Sequence, residues 1–232
     1  LLADTIKSLS DHAVDTTLVL VGVAESVDTL IAEHESVQRA LIQVHMPRMS
    51  QEEIDEIIDN GLAAVGMTID QNARKRIYKL SQGLPHYAHL LGMHSAQAAA
   101  GQDRLHIIID DTHQALQKAL KHAQQSIAHD YERATLSTKE TLHRKVLLAC
   151  ALANTDEHGY FTAGDVRTPL SKIMKKDYPV FLFSRHLNDF CENKRGPALH
   201  RAGVVGGYRY KFKNAMMQPY VIMNGLKTGL IS

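Results

Sequence analysis

The chain has 232 residues, enough for one large domain or two small ones with a sizeable core. With 44% hydrophobic and 22% charged residues and no low-complexity tract, its composition excludes a disordered or fibrous protein. The net charge of +1 hides an asymmetry: residues 1–138 hold 11 Lys/Arg against 18 Asp/Glu, giving −7, and residues 139–232 hold 15 against 7, giving +8, so a polyanionic partner is expected in the last hundred residues. The longest strongly apolar run, Val146 to Ala153, is far short of the about 20 residues a membrane span needs. The N-terminus has no basic n-region, apolar stretch and small-residue cleavage site, so no secretory signal is read there. Cys150 and Cys191 each sit in an apolar helical pattern, which predicts two buried thiols in a reducing compartment, the cytoplasm, rather than a disulfide.

Leu1 to Leu9 is amphipathic. Leu18 to Val23 is continuously apolar and β-branched, the pattern of a strand buried on both faces of a parallel sheet. Ser26 to Glu33 spaces Val27, Leu30 and Ile31 as a helix does, and Leu41 to His45 reads as a second short strand stopped by Pro47. Helix, strand, helix, strand is an α/β fragment with too few strands for its own sheet, so the chain is expected to begin within a domain.

From Ser50 to about Arg133 the period is 3.6. Ser50 with Glu53 forms a capping box for a helix carrying Ile54, Ile57, Ile58 and Leu62. Asp70 opens a second, with Ala73, Ile77 and Leu80, that ends at Gly83. A third runs from Pro85 to Ala100, with Gly101 ending it. Asp110 or Asp111 starts a fourth that continues to about Tyr131. Beyond Ser137 the order is helix, helix, helix, hairpin: Leu142 to Leu152, a second helix capped by Thr162 with Asp165, and a third with Phe183, Leu187 and Phe190 on one face. Two strands joined through Gly203-Val204-Val205-Gly206 follow. Three helices and a β-wing make a winged helix, a relative of the helix-turn-helix.

Two stretches imitate nucleotide motifs. Gly61 to Thr68 lacks the lysine of the phosphate loop, having Met67 in its place, and ends a helix rather than opening one. Ile107 to Asp111 imitates a magnesium-holding strand, but Asp110 is more simply an N-cap. His86, His89 and His94 share a helix without a carboxylate or thiol at ligand spacing, so no metal site is expected. No nucleophile with an adjacent base is found.

The hairpin is the most informative feature. Alternation along Tyr208 to Lys213 sends Tyr208, Tyr210 and Phe212 to one face and Arg209, Lys211 and Lys213 to the other, an arrangement suited to a phosphate backbone. Arg201 on the partner strand, with Lys194 and Arg195 at the base, is expected to extend the positive edge. On the third helix Arg185 and Asn188 face away from the apolar stripe, where they could reach base edges or phosphates of double-stranded DNA. A solvated cationic face is the simpler alternative, since winged helices also bind proteins.

Leu18 to Ser26 with its following helix, then Glu35-Ser-Val-Gln-Arg39-Ala-Leu-Ile and Met46-Pro-Arg-Met-Ser50, resembles the second half of an AAA+ ATPase core. Ser81-Gln-Gly-Leu-Pro-His86 resembles the second sensor motif opening the third lid helix. With the winged helix, the order resembles the initiator ATPases of origin recognition and their bacterial relatives, including transposition-helper ATPases. The resemblance implies a mainly α architecture with some β: the end of a P-loop core (1–48), a four-helix lid (49–134) and a C-terminal winged helix (135–232). It implies Glu25 or Ser26 as sensor 1, Arg39 as an arginine finger acting on a neighbouring subunit, and His86 at the second-sensor position, where arginine is usual. The intact parent would use ATP and Mg2+ and self-associate through its core. The phosphate loop and acidic strand would lie before Leu1, so this stretch alone is not expected to hydrolyse ATP. A second reading, of a different class, is a nucleotide-gated scaffold or signalling ATPase, as in antiphage defence, whose winged helix docks a protein.

Overall fold

The computed structural model describes residues 2–12, 14–19, 42, 44, 46–136, 142–204 and 206–231. The chain divides into two compact units, residues 1–46 and 47–232. In the first, α1 (Leu2–Asp11) is amphipathic and buries Ile6. The predicted helix from Ser26 to Glu33 lies outside the described residues, as do Glu25, Ser26 and Arg39. Of the two predicted strands, Leu18, Val19, Ile42 and Val44 are described; all four are exposed and none is in a strand, contrary to the buried strands expected there. A strand buried on both faces needs a paired neighbour on each side, and no described residue of this unit supplies one.

The second unit begins with a helical bundle. Helix α2 (Gln51–Ala63) starts at the expected capping box: Ser50 Oγ accepts from the Glu53 N–H at 3.3 Å and Glu53 Oε2 accepts from the Ser50 N–H at 2.8 Å. It buries Ile54, Ile58 and Leu62 and ends in a turn closed by Gly66 at φ +66°. Only a residue without Cβ adopts that left-handed conformation cheaply, so Gly66 serves chain reversal, whereas Gly61 lies within the helix itself. Asp70 then caps α3 (Gln71–Ser81), its Oδ1 accepting from the N–H groups of Asn72 and Ala73. Helix α4 (Pro85–Ala100) carries Pro85 at its first position and buries Tyr87, Leu91, His94 and Ala98 among others. Two short strands, β1 (Thr68–Ile69) and β2 (His106–Ile107), pair in parallel and tie the α2–α3 connection to the α4–α5 connection.

Helix α5 (Ile109–His122) is started by Asp111 rather than Asp110. Asp111 Oδ2 accepts from the Ile108 N–H at 2.9 Å, and Arg104 grips both carboxylate oxygens at 2.7 and 3.0 Å. Burial alone would raise the Asp111 pKa, but the Arg104 guanidinium and the Ile108 N–H outweigh it and leave the carboxyl below its ordinary value. The predicted long fourth helix is two: the chain becomes extended at Ala123 and restarts as α6 (Gln125–Thr135). No proline forces this break. The restart aims Ile127 and Ala134 at the later helices, and that burial outweighs the few backbone hydrogen bonds lost at the joint.

The remainder runs α7 (His143–Ala151), β3 (Phe161–Thr162), α8 (Ala163–Met174), a 3-10 turn at Val180–Leu182, α9 (Ser184–Asp189), a second 3-10 turn at Asn193–Arg195, β4 (Leu199–Ala202), β5 (Arg209–Phe212) and α10 (Met217–Lys227). Helix α8 has the expected Thr162–Asp165 capping box. The three strands form an antiparallel sheet in the order β3-β5-β4, with Phe161 opposite Tyr210 and Leu199 opposite Phe212. Phe183, Leu187 and Phe190 are fully buried, as their spacing predicts. Cys150 is buried inside α7, whereas Cys191 lies just beyond α9 and is only half-buried, a correction to the expected pair of buried thiols; both are free. Helix α10 was not expected. It packs on α7 and also reaches α3, α5 and α6; Tyr87 of α4 donates to the carbonyl of Met216, just before it, at 2.9 Å, and Gln218 donates to the Ala151 carbonyl at the end of α7 at 2.9 Å.

Candidate nucleic-acid interface

Strand alternation and cross-strand register decide which cations share a face. Tyr210 and Phe212 of β5 are buried, and Arg209 and Lys213 are exposed. His200 of β4 lies opposite Lys211 and Thr162 of β3 lies opposite Arg209, so these residues line the outer face of the sheet. Tyr160, just before β3, forms the floor of that face. The Arg209 guanidinium is 5.0 Å and the Lys211 ammonium 4.6 Å from its ring centroid, and the His200 ring is 6.5 Å away, edge-on. An aromatic ring under two cations holds them side by side without neutralising them.

An acid, Asp156, enters this cluster. Asp156 Oδ1 accepts from the N–H groups of His158 and Tyr160, which folds the loop into a tight turn, and its Oδ2 accepts from Arg209 Nη1 at 3.3 Å. Asp156 therefore places both Tyr160 and Arg209. No local pattern marks it, because Asp156 lies 53 residues before the Arg209 it holds.

Arg201 does not join that edge, contrary to the sequence expectation. It sits opposite Tyr210 in the β4–β5 register and so projects from the other face of the sheet. There it stacks on the Tyr208 ring at 4.4 Å and donates to Asn188 Oδ1 at 2.9 Å; the Tyr210 hydroxyl approaches the same oxygen at 3.4 Å. Asn188 is thus engaged in fixing α9 to the sheet, while Arg185 on the same helix is exposed.

Lys194 and Arg195 also part company. Lys194 is exposed. Arg195 turns inward, Nη1 donating to the carbonyls of Ala134 and Leu136, both at 3.1 Å, where it satisfies the C-terminal end of α6. Arg133 answers from α6 with a 3.3 Å bond to the Asn193 carbonyl and lies against Gly196, where a Cβ would meet the guanidinium carbon at 2.8 Å. Arg195 is therefore a strut between α6 and the second 3-10 turn.

His86 occupies the first turn of α4 and is exposed, its ring edge-on to Tyr87. His89 is exposed and His94 is buried, with Nδ1 3.0 Å from Gln97 Oε1. No cluster of three potential metal ligands occurs among the described residues. No helix among them is long and apolar enough to cross a membrane.

No known protein-family model and no curated protein match the sequence. Among solved structures, the crystal structure of Cdc6p from Pyrobaculum aerophilum aligns over 88% of this chain and 56% of that one, at 18% identity and a TM-score of 0.33. The chain thus spans little more than half the length of that protein.

Proposed function

We propose that the chain is the C-terminal part of an oligomerising, ATP-dependent AAA+ protein: the end of the nucleotide core at 1–48, a helical lid at 49–134, and a winged helix at 135–232 that binds duplex DNA. The observation that carries the DNA-binding reading is the order helix, strand, helix, helix, strand, strand with sheet order β3-β5-β4, its central strand bearing Arg209 and Lys211 side by side over Tyr160. The +8 balance of residues 139–232 agrees with it. In this reading Arg209, Lys211 and Lys213 grip phosphates, Arg185 approaches the groove, Lys194 lies at the rim, and Asn188 with Arg201 sets the angle of α9.

The nucleotide half of the proposal rests on the resemblance of the sequence to AAA+ cores. Arg39 serves as the finger in trans and Glu25 or Ser26 as sensor 1, with ATP and Mg2+ bound by the parent. His86 is compatible with a place beside the phosphates, because the start of α4 is the positive end of a helix dipole, though imidazole lacks the permanent charge of the usual arginine. Fluorescence anisotropy of a labelled 20-base-pair duplex, titrated with this chain from 50 to 300 mM KCl, tests the DNA reading. The logarithm of affinity should fall linearly with the logarithm of salt, and absence of binding at 50 mM rejects it.

A second reading, docking of a protein partner, draws on Phe181 and Leu182. They project 76% and 46% exposed from the turn that leads into α9, where a purely phosphate-binding surface would carry polar groups.

A further inference from the structure

Helix α3 carries two arginines with opposite fates. Arg74 is neutralised by Asp59 and Asp55 of α2. Arg76 has no carboxylate partner among the described residues, and its Nε is buried without an acceptor. A desolvated guanidinium with an unsatisfied donor is costly unless something anionic meets it.

Arg76 belongs to a stripe, Asn72, Lys75, Arg76 and Lys79, at helical spacing along one face of α3. That stripe forms one wall of a groove of about 460 Å3, within the range of about 300–1,000 Å3 typical of small-molecule sites. The floor and far wall are aliphatic: Leu80, Ile109, Leu152, Ile222 and Leu226. Among the described residues, no carboxylate side chain lines the groove. Lys75 and Lys79 are exposed, and neither has an ion pair among the described residues.

We infer that this groove binds a small amphiphilic anion, a carboxylate or phosphate monoester with an aliphatic body, its head on Arg76 between Lys75 and Lys79 and its body along Ile222 and Leu226 of α10. Guanidinium geometry suits either head group, since both accept two parallel N–H bonds. Among the described residues the lining offers no aromatic ring to stack on and only Asn72 and Gln82 as uncharged polar side chains, which suits a hydrocarbon body better than a nucleobase. The groove is walled by α3, the start of α5, the end of α7 and α10, so an occupant would clamp the helical bundle to the C-terminal helix. The site is independent of the DNA-binding proposal, because none of its lining residues belongs to β4, β5 or α9.

Isothermal titration of this chain with octanoate and octyl phosphate, beside 1-octanol, acetate and ATP, tests the assignment, and methyl NMR of Ile109 and Ile222 locates the binding. Octanoate and octyl phosphate should each bind one to one, at least tenfold tighter than 1-octanol or acetate, and shift those methyls. Arg76→Met should weaken octanoate at least tenfold, leave 1-octanol unchanged and not lower the melting temperature, while Lys118→Met on the exposed side of α5 should change nothing. Equal affinity for 1-octanol and octanoate, an unaltered octanoate affinity in Arg76→Met, tighter binding of ATP than of octanoate, or methyl shifts elsewhere would each overturn it. Sedimentation with phosphatidylglycerol vesicles separates a free amphiphile from a lipid surface: the protein should stay in the supernatant, and Arg76-dependent pelleting rejects a free ligand.

Discussion

Replacing Arg209, Lys211 and Lys213 together by alanine removes the cations of β5 while sparing its buried face. Tyr210 and Phe212 remain in the core and the β3-β5-β4 ladder is made by backbone groups, so the fold should persist. Each phosphate neutralised contributes about 0.9 to the slope of log affinity against log salt, so three lost contacts should reduce that slope by about 2.7. Between 50 and 200 mM KCl the wild-type protein should therefore lose about 40-fold more affinity than the triple variant. The assay is duplex anisotropy at several salt concentrations, with circular dichroism confirming that both proteins are folded. Arg201→Ala provides the contrast: it lies on the opposite face, so it should weaken binding through α9 without a matching change in slope. Equal slopes for wild type and triple variant would refute the role given to the outer face of the sheet.

Other consequences of the structure are open to direct measurement. Burial lowers the pKa of both His143 and His186, whose rings lie 4.6 Å apart, so each binds its proton less readily folded than unfolded. The stability they contribute is full above the unfolded value of about 6.5 and is lost progressively as pH falls from there through the lower folded values; the melting temperature should be lower at pH 5.5 than at pH 7.5, and His143→Phe should narrow the gap. Tyr87→Phe removes the hydroxyl bonded to the Met216 carbonyl and should cost about 1 kcal/mol, seen as a fall of about 2–4 °C in melting temperature. Arg195→Ala frees two carbonyls at the end of α6 and should cost about 1–2 kcal/mol in urea unfolding, whereas Lys194→Ala, at an exposed position, should fall within about 0.5 kcal/mol of wild type.

The elements legible in the sequence were those with a local signature. Ser50–Glu53 and Thr162–Asp165 mark helix starts because the residues that satisfy the first N–H groups lie within one turn of them. Phe183, Leu187 and Phe190 reveal α9 because a helix with one buried face writes its period into the sequence. Helix α10 has buried residues on nearly every side, from Met217 to Met223, so it carries no such period and passed unnoticed. Strands β1 and β2 are two residues each and too short to alternate. The joint at Ala123 has no breaker residue, since its cause is the destination of α6 rather than its own composition. In the candidate site, alternation along β5 assigned Arg209 and Lys211 to one face, but the face of Arg201 depends on register with β4, which the sequence alone left open. Asp156 and Tyr160 meet β5 only through the sheet.

The bond from Tyr87 to Met216 joins residues 129 apart in sequence, and Gln218 reaches back to Gln82 across 136. A ribosome making this chain would release the first bundle helices long before the segment that completes their packing. Those helices should therefore stay loosely assembled until α10 emerges, and equilibrium denaturation of residues 47–232 should proceed as a single cooperative event rather than as two separable meltings.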